Sequence, residues 1–148
     1  MDIFPISLKL QQQPCLIVGG GAIAYRKAVL LAKAGAIIHV VAPAIEAKLL
    51  QLVHSTQGQY LQAPFSLDMP LRHYRLVIAA TNDKMVNIQV FKCCEAENIL
   101  VNSVDDLPHC RFMVPAIVDR SPLVLSIASN GTSPVLSRQI RTQLESII

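Results

Sequence analysis

Three glycines, Gly19-Gly20-Gly21, stand where the apolar run Cys15-Leu16-Ile17-Val18 ends and a helical pattern begins. A bend of this composition lets backbone N–H groups approach a phosphate, with the positive end of the following helix behind them. Gly19 and Gly21 permit the tight turn and the close approach. Ala24 is small enough for the helix to lie on the strand, completing a G-x-G-x-x-A pattern. These residues suit the grip of a pyrophosphate, and a dinucleotide is the leading ligand. The competing reading is a tight strand–helix turn without a ligand.

A second cluster is Asn102-Ser103-Val104-Asp105-Asp106-Leu107-Pro108-His109. It follows an apolar strand pattern, at the carboxyl end where open α/β sheets bind ligands. A carboxylate there can accept a proton or meet a divalent cation. Against this stands a solvated turn in which Asp105 or Asp106 bonds the local backbone. His109 reads as a surface or packing residue. A third cluster, Ser126 to Pro134, gathers hydroxyls and Gly131 ahead of a helix start. It serves either as an anion site or simply as a helix cap. Arg138 and Arg141 lie one turn apart on the helix that follows, where they are solvated or meet ligand carboxylates.

In NAD-binding folds an acid usually ends the second strand and binds the ribose hydroxyls. Val41-Ala42-Pro43-Ala44 occupies that place here, with no acid. Either the pocket takes no dinucleotide, or backbone around Pro43 and Ala44 serves the adenosine side. The missing acid also removes the usual argument for NAD over NADP.

The elements that must position these groups follow from periodicity. Leu16–Val18 predicts a strand and 22–34 a helix, with Ala24, Ala28, Leu31 and Ala32 on one face and Gly35 as its C-cap. Ile37–Ala42 reads as a strand stopped by Pro43, then 46–54 as a helix and 59–61 as a short strand. Leu76–Ala80 is a further strand, and Thr81-Asn82-Asp83 starts a helix striped by Val86, Val90 and Cys93 or Cys94. Residues 99–102 form a fifth strand. Alternating strands and helices imply right-handed βαβ units and an open parallel sheet, an α/β fold. After about Arg111 the pattern changes to strands at 112–118 and 123–129 about a polar turn. Ser133 then caps a helix with Pro134 at its first position. So short a segment cannot bury a core alone and must pack either on its own sheet or on a partner's, as in a homodimer exchanging strands. The division falls at 1–113 and 114–148.

Hydrophobic residues make up 52% of the 148 and charged ones 16%, enough apolar mass for strands buried on both faces. A net charge of +3, 5% aromatics and no Trp argue against a nucleic-acid partner. No apolar run approaches the roughly 18 residues of a membrane span, and Met1-Asp2-Ile3-Phe4-Pro5 does not look like a signal peptide, so a cytoplasmic location is expected. Four cysteines without C-x-x-C spacing read as reduced thiols rather than a zinc site.

Taken in order, these stretches resemble the precorrin-2 dehydrogenase and sirohydrochlorin ferrochelatase module at the N-terminal part of siroheme synthases. The resemblance rests on Leu16-Ile17-Val18-Gly19-Gly20-Gly21, Arg26-Lys27-Ala28, Ala79-Ala80-Thr81-Asn82-Asp83 and Val101 to Asp106. It continues through Phe112 to Arg120 and Gly131-Thr132-Ser133-Pro134-Val135-Leu136, nearly the whole chain. It implies a Rossmann-like domain joined to a β-strand and helix dimerisation segment. It further implies NAD-dependent oxidation of precorrin-2 to sirohydrochlorin, then insertion of Fe2+ as substrate metal to give siroheme, in a homodimer. Family members commonly lack the acid after the second strand, which resolves that question in favour of a cofactor.

Carried over by position, Ala22 and Ile23 touch the cofactor at the glycine bend, and Pro43 and Ala44 flank its adenosine side. Gly19, Gly21, Thr81 and Asn102 complete the cofactor set. Asp105 matches the catalytic aspartate, and Ser129, together with Asp105, the metal side. On the last helix, Arg138 or Arg141 is the candidate to meet the tetrapyrrole carboxylates, the other reading being that both are solvated. Asn130 departs from the glycine of many relatives, and relatives continue past the position of Ile148 into a helical segment, so a fragment or shortened form is expected. A non-enzymatic NAD(P)-sensing domain and an inactive dimerisation module are the alternatives.

Overall fold

The computed structural model describes all 148 residues, Met1–Ile148. They divide into two compact units, Leu8–Phe112 and a smaller one formed by Met1–Ser7 with Met113–Ile148. The first seven residues thus join the C-terminal segment, where a single division at 113/114 left them with the larger part.

In the larger unit β1 (Pro14–Val18), α1 (Ala22–Lys33), β2 (Ile37–Ala42), α2 (Ala47–Ser55) and β3 (Tyr60–Gln62) come first. β4 (Leu76–Ala79), α3 (Lys84–Ala96) and β5 (Leu100–Ser103) follow. The strands form one five-stranded sheet in the order β3-β2-β1-β4-β5. Every pairing is parallel. This is the open α/β architecture expected from the alternating pattern.

The strands are largely apolar because both faces of the sheet are covered. Cys15, Ile17, Ile38, Val40 and Ile78 pack with Ala24, Ala28 and Leu31 of α1 and Leu49 and Val53 of α2. Leu16, Val18, Val41, Val77, Ala79 and Val101 pack on the opposite face with Val90 and Cys94 of α3. Ala24 and Ala28 are small enough to let α1 lie close to the sheet. Burial pushes the Cys15 thiol up to about 11 and Cys94 to about 12, so both remain protonated core groups.

Gly35 ends α1 at φ +82, donating to the Ala32 carbonyl while the Ala36 N–H reaches back to Leu31. Glu46 caps α2 rather than opening it.

The smaller unit holds an antiparallel hairpin of β6 (Ala116–Arg120) and β7 (Leu123–Ile127), then α4 (Pro134–Ile147). Both strands are shorter than the sequence pattern suggests. The Arg111 N–H donates to Val101 and the Phe112 carbonyl accepts from Asn102, so these residues are committed to β5 before β6 begins. Past Ile127, the Ser129 carbonyl and hydroxyl are taken up by the turn into α4. Ser133 caps α4 through the Leu136 N–H, as its position before Pro134 predicts.

Ile78 is 1% exposed in the centre of the sheet, whereas Leu61 on the edge strand is 53% exposed. Ile78→Ala should lower stability by about 2–5 kcal/mol in urea denaturation. Leu61→Ala should stay within about 0.5 kcal/mol.

Candidate dinucleotide and proton-transfer site

Register brings four strand ends into line. Val18 lies beside Val41 and Ala79, and Ala79 beside Ser103. The segments that follow therefore share one edge: the glycine bend, the Pro43–Ala44 loop, the Ala80–Asp83 loop and the Val104–Cys110 loop. Neighbouring strands stand about 4.8 Å apart, so β2 to β5 spans roughly 15 Å. α1 and α2 cover one face and α3 the other, so the connections change face between β1 and β4. A crevice at that switch point is where open α/β sheets receive ligands.

The bend is held by backbone packed on backbone. Gly19 has φ +130, and a Cβ there would stand 2.3 Å from the Ala80 carbonyl oxygen. A Cβ on Gly20 would stand 1.9 Å from the Ala44 oxygen. The Gly19 N–H donates to Val41, and the Gly20 carbonyl accepts from Glu46. Gly21 differs: it is the extended N-cap of α1, and nothing lies within 4 Å of where its Cβ would be. The tight approach thus belongs to Gly19 and Gly20, and the open side to Gly21. Gly20, absent from the G-x-G-x-x-A spacing, is as sterically required as Gly19.

The first N–H groups of α1 have no intrahelical acceptor, and its first turn carries no acid. Ala22 and Ile23 lie in that turn. Pro43 and Ala44 are exposed beside Gly20. Tyr60 donates its phenolic hydrogen to the Ala42 carbonyl at 2.9 Å, ending β2 without an acid.

At the end of β4 the loop is fastened by Asn87, which is buried. Its Oδ1 accepts from the Thr81 N–H at 3.1 Å and the Thr81 hydroxyl at 2.7 Å, while its Nδ2 donates to the Thr81 carbonyl. Asp83 caps α3 through the Met85 and Val86 N–H groups. Sequence reading missed Asn87; the signal was a carboxamide on the helical stripe of Val86, Val90 and Cys94.

Beyond β5 the two carboxylates part company. Asp106 bonds the ring of His109, 2.8 Å from its Nδ1, in the local role that a turn residue fills. Asp105 sits at φ +59, exposed and outside these bonds. Aspartate tolerates the left-handed region better than most residues. The Val104 N–H donates to Ala79, which ties Asp105's neighbour to the end of β4. Asn102 is buried and spends its amide hydrogen on Phe112, a structural use beside the crevice. Burial pushes the Cys110 thiol up, with Lys27 of α1 pulling the other way.

The smaller unit carries the remaining candidates. The Ser129 hydroxyl donates to the Ser133 carbonyl and accepts from the Ser133 N–H, closing the turn before α4. Asn130 at φ +51 and Gly131 at φ +74 form the bend itself, so Asn130 adopts the conformation glycine would supply. Arg138 is exposed; Arg141 lies 3.6 Å from Glu145 one turn on.

A parallel sheet of this order, with a glycine bend at its switch point, defines a Rossmann-like dinucleotide-binding domain. The chain belongs to the family described as "Putative NAD(P)-binding", whose match covers residues 6–116. It is 62% identical over its whole length to the siroheme synthase of Acinetobacter baylyi, covering 32% of that protein. Against the siroheme synthase of Zymomonas mobilis the identity is 46%, over 31% of the protein. The chain therefore spans about a third of the length of these curated relatives. Among solved structures it matches SirC, a precorrin-2 dehydrogenase, with a TM-score of 0.81 and 29% identity, covering 99% of this chain and 71% of that one.

Substitution should separate the three glycines. Gly19→Ala and Gly20→Ala should each lose at least about 1–3 kcal/mol of stability, since backbone must shift. Gly21→Ala should fold within about 0.5 kcal/mol of wild type and weaken dinucleotide binding, measured by thermal melting and fluorescence titration.

Proposed function

We propose that this chain is an NAD-dependent precorrin-2 dehydrogenase module of siroheme biosynthesis. It would convert precorrin-2 to sirohydrochlorin and then serve the insertion of ferrous iron, a substrate, to yield siroheme. One observation carries the reading: the glycine bend and the Asp105 loop open on the same edge of one sheet. The likeness to siroheme synthases and to a precorrin-2 dehydrogenase supports the substrate.

The residues present fit a dinucleotide. At Gly21 the space a side chain would fill is open, and the unpaired N–H groups of α1 point from the helix's positive end. When bound, NAD supplies the hydride acceptor. Gly20, Gly21, Ala22 and Ile23 would hold the phosphates through backbone N–H groups, and Gly19, whose own N–H goes to Val41, would shape the bend. Pro43 and Ala44 border the adenosine side, and Thr81 and Asn102 the crevice between. Precorrin-2 gives up one hydride and one proton, and Asp105 takes the proton at its carboxylate as general base. Asp105 suits that task because no neighbouring group claims its oxygens as His109 claims those of Asp106.

For the second reaction iron entry releases two pyrrole protons, of which Asp105 accepts one and water takes the other. Arg138 and Arg141 meet the carboxylates of the macrocycle. The protein works as a homodimer, and the four free cysteines accord with a cytoplasmic setting. Support for the dimer comes from the smaller unit, where Phe4, Ile6, Val124, Val135, Leu136 and Ile147 are all exposed. Exposed apolar side chains, where they adjoin one another, usually mark an interface.

Incubation with precorrin-2 and NAD should produce NADH absorbance. Asp105→Ala should lower that rate by roughly 10²–10⁴-fold with NAD affinity unchanged. Wild-type turnover in the variant removes Asp105 from the chemistry, and NAD binding without turnover in the parent chain favours a sensing domain.

Sedimentation equilibrium should give twice the chain mass. Paired Val135→Asp and Leu136→Asp substitutions should shift it to monomer, and an unchanged mass rejects α4 as part of the interface.

A further inference from the structure

We propose that His109 is a positioning residue: bonded to Asp106 and laid against Phe91, it holds the loop that presents Asp105. The inference rests on the role of Asp105 given above and goes beyond it by naming what keeps that carboxylate in place.

Asp105 occupies the left-handed region, which returns the chain sharply after β5. A residue held there needs surroundings that over-determine it. Three ties do so. The Asp106 N–H donates to Ser103, and the His109 N–H to Asp106, closing a short 3-10 turn over Leu107–His109. The Cys110 thiol lies 3.2 Å from the Ser103 carbonyl and 3.3 Å from that of Asp106. The His109 Nδ1–H donates to Asp106 Oδ2 at 2.8 Å.

The last of these links the loop to a helix. The His109 ring meets Phe91 of α3 edge-on, with centroids 4.9 Å apart. The Arg111 guanidinium stands 5.0 Å over the same Phe91 ring and pairs with Glu95 of α3. The Asp106 side chain is only 13% exposed, so a carboxylate mostly out of water depends on His109 as its charged or dipolar partner. Removing the imidazole leaves Asp106 to seek water, which drags the turn outward and takes the adjoining Asp105 with it.

The test uses the full chain with two variants. His109→Ala deletes both the bond and the ring. His109→Asn returns an amide N–H close to the Nδ1 position without the ring. In His109→Ala, amide exchange at Val104 and Asp106 should rise about tenfold, the scale of one lost charge-assisted hydrogen bond. The kcat for NADH formation should fall by about as much, with the KM for NAD unchanged. His109→Asn should recover part of both.

Unchanged exchange in His109→Ala overturns the proposal. So does raised exchange with wild-type kcat, or a His109→Asn variant no better than His109→Ala. A parent chain that binds NAD and forms no NADH overturns the dehydrogenase reading instead, and amide exchange then decides the clamp on its own.

Discussion

Backbone lies directly on backbone at Gly19 and Gly20, where carbonyl oxygens of Ala80 and Ala44 occupy the space of absent side chains. This closeness joins the end of β1 to the loops after β4 and β2, and sets the level of the whole site edge. Hydrogen bonds from Gly19 to Val41 and from Glu46 to Gly20 lock it. Because the bend is tight, α1 starts at once, and its unpaired N–H groups face the crevice rather than the core. A side chain at either glycine would push the loops apart and turn the helix end away.

From this constraint the rest of the edge follows. Parallel strands with matched ends deliver their following loops to one line, and each loop is fastened by a different device. Asn87 grips Thr81 through its carboxamide, while Asp83 caps α3. The segment after β5 is folded back on that strand by Asn102, Cys110 and Arg111. Loops fastened in this way keep the site edge in one geometry before a ligand arrives. The two adjacent aspartates differ in setting: Asp106 bonds the ring of His109, whereas Asp105 is exposed and outside these bonds.

Sequence pattern made the sheet, its helices and the glycine bend legible, because burial on two faces demands apolar runs and a phosphate grip demands missing side chains. It also placed Asp105, Ser133 and Gly35 in their local settings. The role of Gly20 was hidden, since its partner Ala44 is distant in the chain and the usual spacing skips that position. Asn87 was hidden for a related reason: on a helix stripe a polar side chain looks like a flaw until its buried partner is seen. The start of β6 was misjudged because 112–115 is as apolar as a strand, yet its neighbours' backbone groups had already been claimed by β5.

Local composition by itself determined which segments become strand or helix, where the chain bends, and that phosphate chemistry suits the first bend. These depend on neighbours within a few residues, and side-chain size and periodicity carry them. Only the tertiary structure decided that Asp105 is exposed while Asp106 is bound, that Ser129's hydroxyl closes a turn, and that Met1–Ser7 joins the C-terminal segment. Such outcomes turn on which donor reaches which acceptor first when distant parts of the chain meet, and no residue's type announces its partner.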